Sequence, residues 1–188
     1  WQLSVEEAFQ SLRERGLRVA ILGRSFGGVL ALDYACAHPN SVLGCICIGT
    51  PAPLSSQRWL RRFLPIVRLV RKSVRKPWAK PEEQEARRAQ GRYLELPLAA
   101  VQQFLNILMT MTPQRLENLR VPTLFIQGST DTAVAPASLD YYRHHITNGN
   151  CDVLWLDTVG HGAELLHGHP QVQEKTLQFL EDCRKTAH

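Results

Sequence analysis

Ser25, Asp131 and His161 are the residues of this chain whose types could together perform nucleophilic chemistry. A serine hydroxyl is a poor nucleophile at neutral pH and needs a base to take its proton. Histidine is the usual base, and a carboxylate fixes the imidazole tautomer and stabilises its charged form. Ser25 lies in Gly23-Arg24-Ser25-Phe26-Gly27, a G-x-S-x-G pattern that is weak on its own. Its setting gives it weight. Arg18-Val19-Ala20-Ile21-Leu22 before it reads as an apolar strand, and Gly28-Val29-Leu30-Ala31-Leu32 after it opens a helical pattern. A strand, a sharp turn carrying Ser, and a helix form a nucleophile elbow. Backbone strain at the Ser pushes its hydroxyl outward, so small residues are expected two places away on each side. Gly23 and Gly27 occupy those places.

The base and the acid should sit on loops at the carboxyl ends of the strands, where the elbow emerges. Asp131 follows a strand in Gln127-Gly128-Ser129-Thr130-Asp131, and His161 follows the next one in Val159-Gly160-His161-Gly162. The order is Ser, then Asp, then His.

The elements that must hold these residues alternate. Ser4–Arg15 reads as a helix, with Ser4 and Glu7 as a capping box, an apolar stripe of Val5, Ala8, Phe9 and Leu12, and Gly16 as its stop. Strand Arg18–Leu22, a helix to about Ala37, and strand Val42–Ile48 follow. The last is nearly continuous in apolar residues, as in a parallel sheet covered on both faces. Alternation pauses at Pro51. Trp59, Phe63, Val67 and Val70 then recur at helical spacing in an amphipathic helix that Pro65 should kink or restart. Pro77, Pro81 and Pro97 break the segment further. Strands Thr123–Gln127 and Val153–Leu156 and a closing helix Gln171–Arg184 complete the pattern, the helix facing inward through Val172, Thr176, Phe179, Leu180 and Cys183. The expected class is α/β, a parallel sheet with a helical cap insertion. Its parts are a first core segment at 1–50, a basic cap at 51–115 and a second core segment at 116–188.

On these motifs the chain resembles the C-terminal two-thirds or so of an α/β-hydrolase. The G-x-S-x-G, the Gly128…Asp131 spacing after a strand and the later Gly160-His161 match that family in spacing and identity. Within it the chain most resembles the lid-bearing carboxylesterases and monoacylglycerol lipases. The resemblance implies Ser25 as nucleophile, His161 as general base, Asp131 as its orienting acid and the Phe26 backbone N–H as an oxyanion donor. It implies cleavage of small-molecule or lipid esters through an acyl-enzyme, with no cofactor and no metal. Thioesterase, acyltransferase and cofactor-free haloperoxidase chemistry would use the same residues. A non-catalytic binding module on the same fold is the reading from another class. Family members carry several strands before the nucleophile strand, and a second oxyanion donor on a loop after one of them. This sequence has no room for those strands, so the expectation is a partial fold, an exposed edge at Arg18–Leu22 and reduced or absent activity.

Rival residues are weaker. Asp157 lies on the same segment as His161, at a strand end, and Asp131 is preferred as the acid. His161, His167 and His169 match no common zinc spacing. His144 and His145 fall in a surface helix.

With 44% hydrophobic and 21% charged residues the chain is ordinary for a globular protein. Five scattered cysteines fit reduced thiols, which together with the lack of a visible leader favours the cytoplasm. Charge is uneven. Arg58 to Arg92 holds twelve Lys or Arg against three Glu, a net +9 in a chain of net +5. That segment reads as a solvated cap face or as a surface for an anionic membrane, and not as a nucleic-acid site, since no such motif is present. The sequence leaves the oligomeric state open.

Overall fold

The computed structural model describes residues 1–75, 95–147, 151–161 and 169–186. Pro77, Pro81 and His167 lie outside them. The elements in chain order begin with α1 (Gln2–Glu14), β1 (Val19–Arg24), α2 (Phe26–Ala37) and β2 (Val42–Ile48). Next come α3 (Ser55–Val70), β3 (Ser73–Arg75), β4 (Glu95–Pro97) and α4 (Leu98–Leu108). The chain closes with α5 (Pro113–Glu117), β5 (Thr123–Gly128), α6 (Ala137–His145), β6 (Cys151–Leu156) and α7 (Pro170–Thr186). Two compact units result, Trp1–Pro53 with Thr110–His188, and Leu54–Met109.

The larger unit is built on a parallel sheet of order β1-β2-β5-β6. Side chains alternate across it. Ile46, Ile48, Leu124 and Ile126 face one way and form a buried cluster with Val172, Phe179 and Cys183 of α7. Cys47 and Phe125 face the other way, the first toward the Gly28 carbonyl of α2 and the second stacked on Tyr142 of α6 at 5.0 Å. Burial on both faces is why β2 and β5 are apolar almost throughout. Among the described residues β1 and β6 are the sheet edges, and Leu22 on β1 is exposed. All five cysteines are free thiols. Burial pushes Cys36 and Cys151 up to about 11 and Cys47 well above its usual range, so none of these three is a nucleophile at neutral pH.

α1 departs from the expected capping box. It begins at Gln2, Ser4 lies inside it, and its N-terminus has no side-chain cap. Val5 N–H closes the first turn on the Trp1 carbonyl at 3.1 Å, and Gln2 Nε2 donates to Asp33 Oδ2 of α2 at 2.7 Å. A tertiary anchor thus extends the helix past its local cap signal. Gly16 ends it with φ +75°.

In the smaller unit α3 runs as one helix through Pro65, neither stopping nor restarting there. Leu64 is its buried residue, and Arg61 Nε donates to Asn106 Oδ1 of α4 at 3.0 Å. This unit spans Leu54–Met109, whereas Thr110–Arg115 returns to the larger one. The reason is Asp33, nearly buried on α2. Its carboxylate accepts from Thr110 Oγ1 at 3.3 Å and pairs with Arg115 Nη2 at 2.9 Å, and its carbonyl accepts from Arg115 at 3.1 Å.

Removing this carboxylate takes a partly buried side-chain partner from both Arg115 and Gln2. Asp33→Ala is expected to lower stability by about 1–3 kcal/mol, read as a fall in the urea midpoint. An unchanged midpoint would show that the cluster is not an anchor.

Candidate active site

Strand register decides what can meet at the carboxyl edge of the sheet. Arg24 lies opposite Ile48, Ile48 opposite Ile126, and Gly128 opposite Leu156. The residues that follow these four strands therefore emerge side by side. Ser25 follows β1 with φ 54° and ψ −121°, in the region that residues with a Cβ rarely adopt. Such a backbone costs on the order of 1–3 kcal/mol and persists only when its surroundings impose it. Two hydrogen bonds do so here. Ser25 N–H donates to the Ile48 carbonyl at 2.8 Å, and Gly28 N–H donates to the Ser25 carbonyl at 3.0 Å.

The glycines of the motif are not equivalent. A Cβ on Gly23 would lie 2.0 Å from the Gly27 carbonyl oxygen and 2.5 Å from the Gly28 nitrogen. One on Gly27 would meet nothing within 4 Å. The expectation that both supply room is therefore corrected. Gly23 is where the strand crosses the first turn of α2, while Gly27 sits in that turn with open space beside it.

Asp131 and His161 are brought together. His161 Nδ1 lies 2.7 Å from Asp131 Oδ2. The other carboxylate oxygen accepts the backbone N–H groups of Ala133 at 2.9 Å and Val134 at 2.8 Å. Burial alone would raise the pKa of this side chain. The His161 hydrogen bond and charge and the two backbone donors outweigh burial, and the pKa is lowered. An ionised carboxylate only accepts, so Nδ1–H is the donor, and in the neutral ring this tautomer puts the lone pair on Nε2. Gln127 Nε2 lies 3.4 Å from Asp131 Oδ2 and completes the carboxylate's surroundings.

The two loops are also tied to each other by their backbones. Ser129 N–H donates to the Leu156 carbonyl at 2.9 Å, and Thr130 N–H to the Val159 carbonyl at 3.1 Å. Thr158 takes the strained φ of 62° and donates its N–H to Ser129 Oγ at 2.9 Å. Asp157, the rival acid, is exposed in the same turn.

Ser25 approaches this pair through its neighbours. Arg24 Nη2 donates to the His161 carbonyl at 2.5 Å. Gly49, next to the Ile48 carbonyl that holds Ser25, has φ +51°, and a Cβ there would be 3.0 Å from His161 Nδ1 and 3.3 Å from Asp131 Oδ2. Among the described residues no hydrogen bond joins Ser25 Oγ to the His161 ring. Phe26 opens α2, so its N–H belongs to the helix N-terminus, where the aligned peptide dipoles favour negative charge. Its ring meets that of Trp1 edge-on at 4.8 Å. The motif reading gives no role to Arg24, Gly49 or Gln127. A glycine directly after a buried strand was the available signal for Gly49. The others need the register.

His169 begins α7's approach and is half-buried, and His144 and His145 lie on α6. Among the described residues no group of His, Cys, Asp or Glu could hold a metal ion.

Residues 4–162 match the family described as serine aminopeptidase, S33 (Hydrolase_4). The chain is 26% identical over 187 residues to a thermostable monoacylglycerol lipase of Bacillus sp. (strain H-257), the match covering 96% of this chain and 69% of that protein. It is similar in structure to one of two metagenome-derived lipolytic enzymes, LipS and LipT, with TM-score 0.78, 21% identity, and coverage of 97% of this chain and 72% of the other. It is also similar to mouse alpha/beta hydrolase domain-containing protein 10, with TM-score 0.69, 16% identity, and coverage of 100% and 69%.

Two outcomes are expected. Gly23→Ala should displace backbone and destabilise by about 1–3 kcal/mol or more, whereas Gly27→Ala should leave the melting temperature unchanged or raise it. Equal effects would contradict the asymmetry. Because the Asp131 pKa is lowered in the fold, its contribution to stability is present above the unfolded value of about 3.9 and is lost as pH falls through the lower folded value. Acid titration of Asp131→Asn should therefore lose stability less steeply below about pH 4 than the parent. Parallel curves would contradict it.

Proposed function

Because the chain belongs to the serine aminopeptidase S33 family and has the α/β-hydrolase fold, we propose that it cleaves carboxylic esters through an acyl-enzyme on Ser25. The observation that carries this reading is the Asp131–His161 hydrogen bond, at the sheet edge where the strained Ser25 turn emerges. His161 Nε2 takes the hydroxyl proton as Ser25 Oγ attacks the ester carbonyl. Asp131 holds the ring and stabilises the imidazolium that forms. The Phe26 N–H receives the developing oxyanion. The tetrahedral species collapses as His161 returns the proton to the leaving alcohol. Water then attacks the acyl-enzyme by the same route and releases the acid, so no cofactor enters. The Asp131–His161 link is formed in the free protein, and the link to Ser25 closes when substrate binds. Catalytic hydrogen bonds often tighten only then.

The family's description names a peptidase, and the Bacillus relative is named as a lipase of monoacylglycerols. Both reactions break the bond between an acyl carbon and its leaving group. They differ in the leaving group, because an amine must be protonated as it departs while an alkoxide needs this less. The ester reading follows the relative that matches nearly the whole chain, and it implies small or lipid esters as substrates.

A protein carrying this sequence is expected to hydrolyse p-nitrophenyl esters faster than aminoacyl p-nitroanilides. Ser25→Ala should abolish both ester turnover and labelling by a fluorophosphonate, and Asp131→Asn should lower kcat by about 10⁴. Labelling that survives Ser25→Ala would overturn the assignment of the nucleophile. Anilide turnover above ester turnover would overturn the substrate class.

A further inference from the structure

Helix α3 is amphipathic in an unusual sense, because its apolar face is the wet one. Trp59, Phe63, Ile66, Val67 and Val70 fall on one side at helical spacing, and all are exposed, Trp59 by 62%, Ile66 by 61% and Val70 by 86%. Trp59 and Phe63 stack at 5.6 Å with rings nearly parallel, forming a flat apolar plate. Leu60 and Leu69 widen the strip. Large exposed apolar patches on a folded chain mark a surface that meets something.

Charge identifies the occupant. Between Pro51 and Arg75 there is no Asp or Glu, and there are seven cations, Arg58, Arg61, Arg62, Arg68, Arg71, Lys72 and Arg75. Arg58 and Arg62 border the apolar face along one side, and Arg61 and Arg68 lie opposite it. We propose that α3 docks the protein on anionic phospholipid surfaces. In this arrangement the Trp59–Phe63–Ile66–Val70 face enters the acyl boundary, and the bordering arginines reach the phosphates.

Three features favour this partner. Aromatic and aliphatic side chains on one face with cations around it suit the polarity gradient of a lipid interface, where long basic side chains extend to the headgroups. A nucleic acid would meet the cations and leave the exposed Trp59, Phe63, Ile66 and Val70 side chains in water. A second copy of the helix would bring four like charges against four, with no acidic residue to offset them. No described helix is long and apolar enough to cross a membrane, so docking on the surface is the mode available to α3. The surface does not depend on the ester-hydrolase reading. It would bring a lipid hydrolase to its substrate's phase.

The test is co-sedimentation of the Ser25→Ala protein, which separates binding from turnover, with vesicles of phosphatidylcholine alone or with about one-third phosphatidylglycerol. The proposal expects at least tenfold tighter binding to the anionic vesicles, weakening steeply with salt. Trp59→Ser with Phe63→Ser should lose about tenfold or more on those vesicles, and Arg58→Gln with Arg62→Gln should lose most of the preference for anionic lipid. In the Ser25 parent the same variants should leave hydrolysis of a water-soluble short ester unchanged, because neither pair belongs to the catalytic machinery. The positions are exposed, so the variants should keep the parent's melting temperature. Equal binding to both vesicle types, insensitivity to the Trp59 and Phe63 substitutions, or displacement from vesicles by a homopolymeric RNA would overturn the proposal. Failure of ester turnover with vesicle binding intact would instead count against the catalytic reading alone.

Discussion

The site depends on one hydrogen bond, between the imidazole of His161 and the carboxylate of Asp131, thirty residues apart in sequence. It exists because β5 and β6 end level with each other. Gly128 is opposite Leu156, and the loops beyond are laced together through Ser129, Thr130, Thr158 and Val159. The carboxylate is held from the other side by two backbone N–H groups, so the ring has one orientation imposed on it. An acid with four donors around it has its pKa lowered despite its burial. That keeps a proton on Nδ1 and, in the neutral ring, turns the lone pair to Nε2.

The serine side is arranged by strain. Ser25 occupies a backbone region disfavoured for any residue with a Cβ, fixed by the end of β2 below and the first turn of α2 above. The turn is so tight that a Cβ on Gly23 would strike the Gly27 carbonyl, and one on Gly49 would crowd the His161 ring. Arg24 ties the two sides by donating to the His161 carbonyl from the residue before Ser25. In the G-x-S-x-G pattern this variable position is thus a tether across the site. Strain at Ser25 and Thr158, on either side of that tether, is stored where the chemistry would occur.

Much of the fold was legible because burial leaves a mark on sequence. β2 reads correctly at both ends, since a strand covered on both faces is a continuous apolar run. β6 is partly exposed, so its first residues, Cys151 and Asp152, carry no such mark and the strand appears shorter than it is. The start of α1 was misread because a contact from Gln2 to Asp33 overrides the local cap. Pro65 signalled a break that α3 does not make. Ser25, Asp131 and His161 stand out by residue type and by following strands. Arg24, Gln127 and the ties between the loops do not, because their importance comes from which strand ends lie level. Register is a property of the folded sheet.

The site is built around an imidazole whose Nδ1 proton is committed to Asp131. The nitrogen-15 and proton NMR spectrum of the His161 ring at neutral pH tests this directly. The account expects a protonated Nδ1 whose proton lies far downfield and exchanges slowly with water, beside an unprotonated Nε2. A ring protonated at Nε2, or an Nδ1 proton exchanging as freely as that of an exposed histidine, would contradict it.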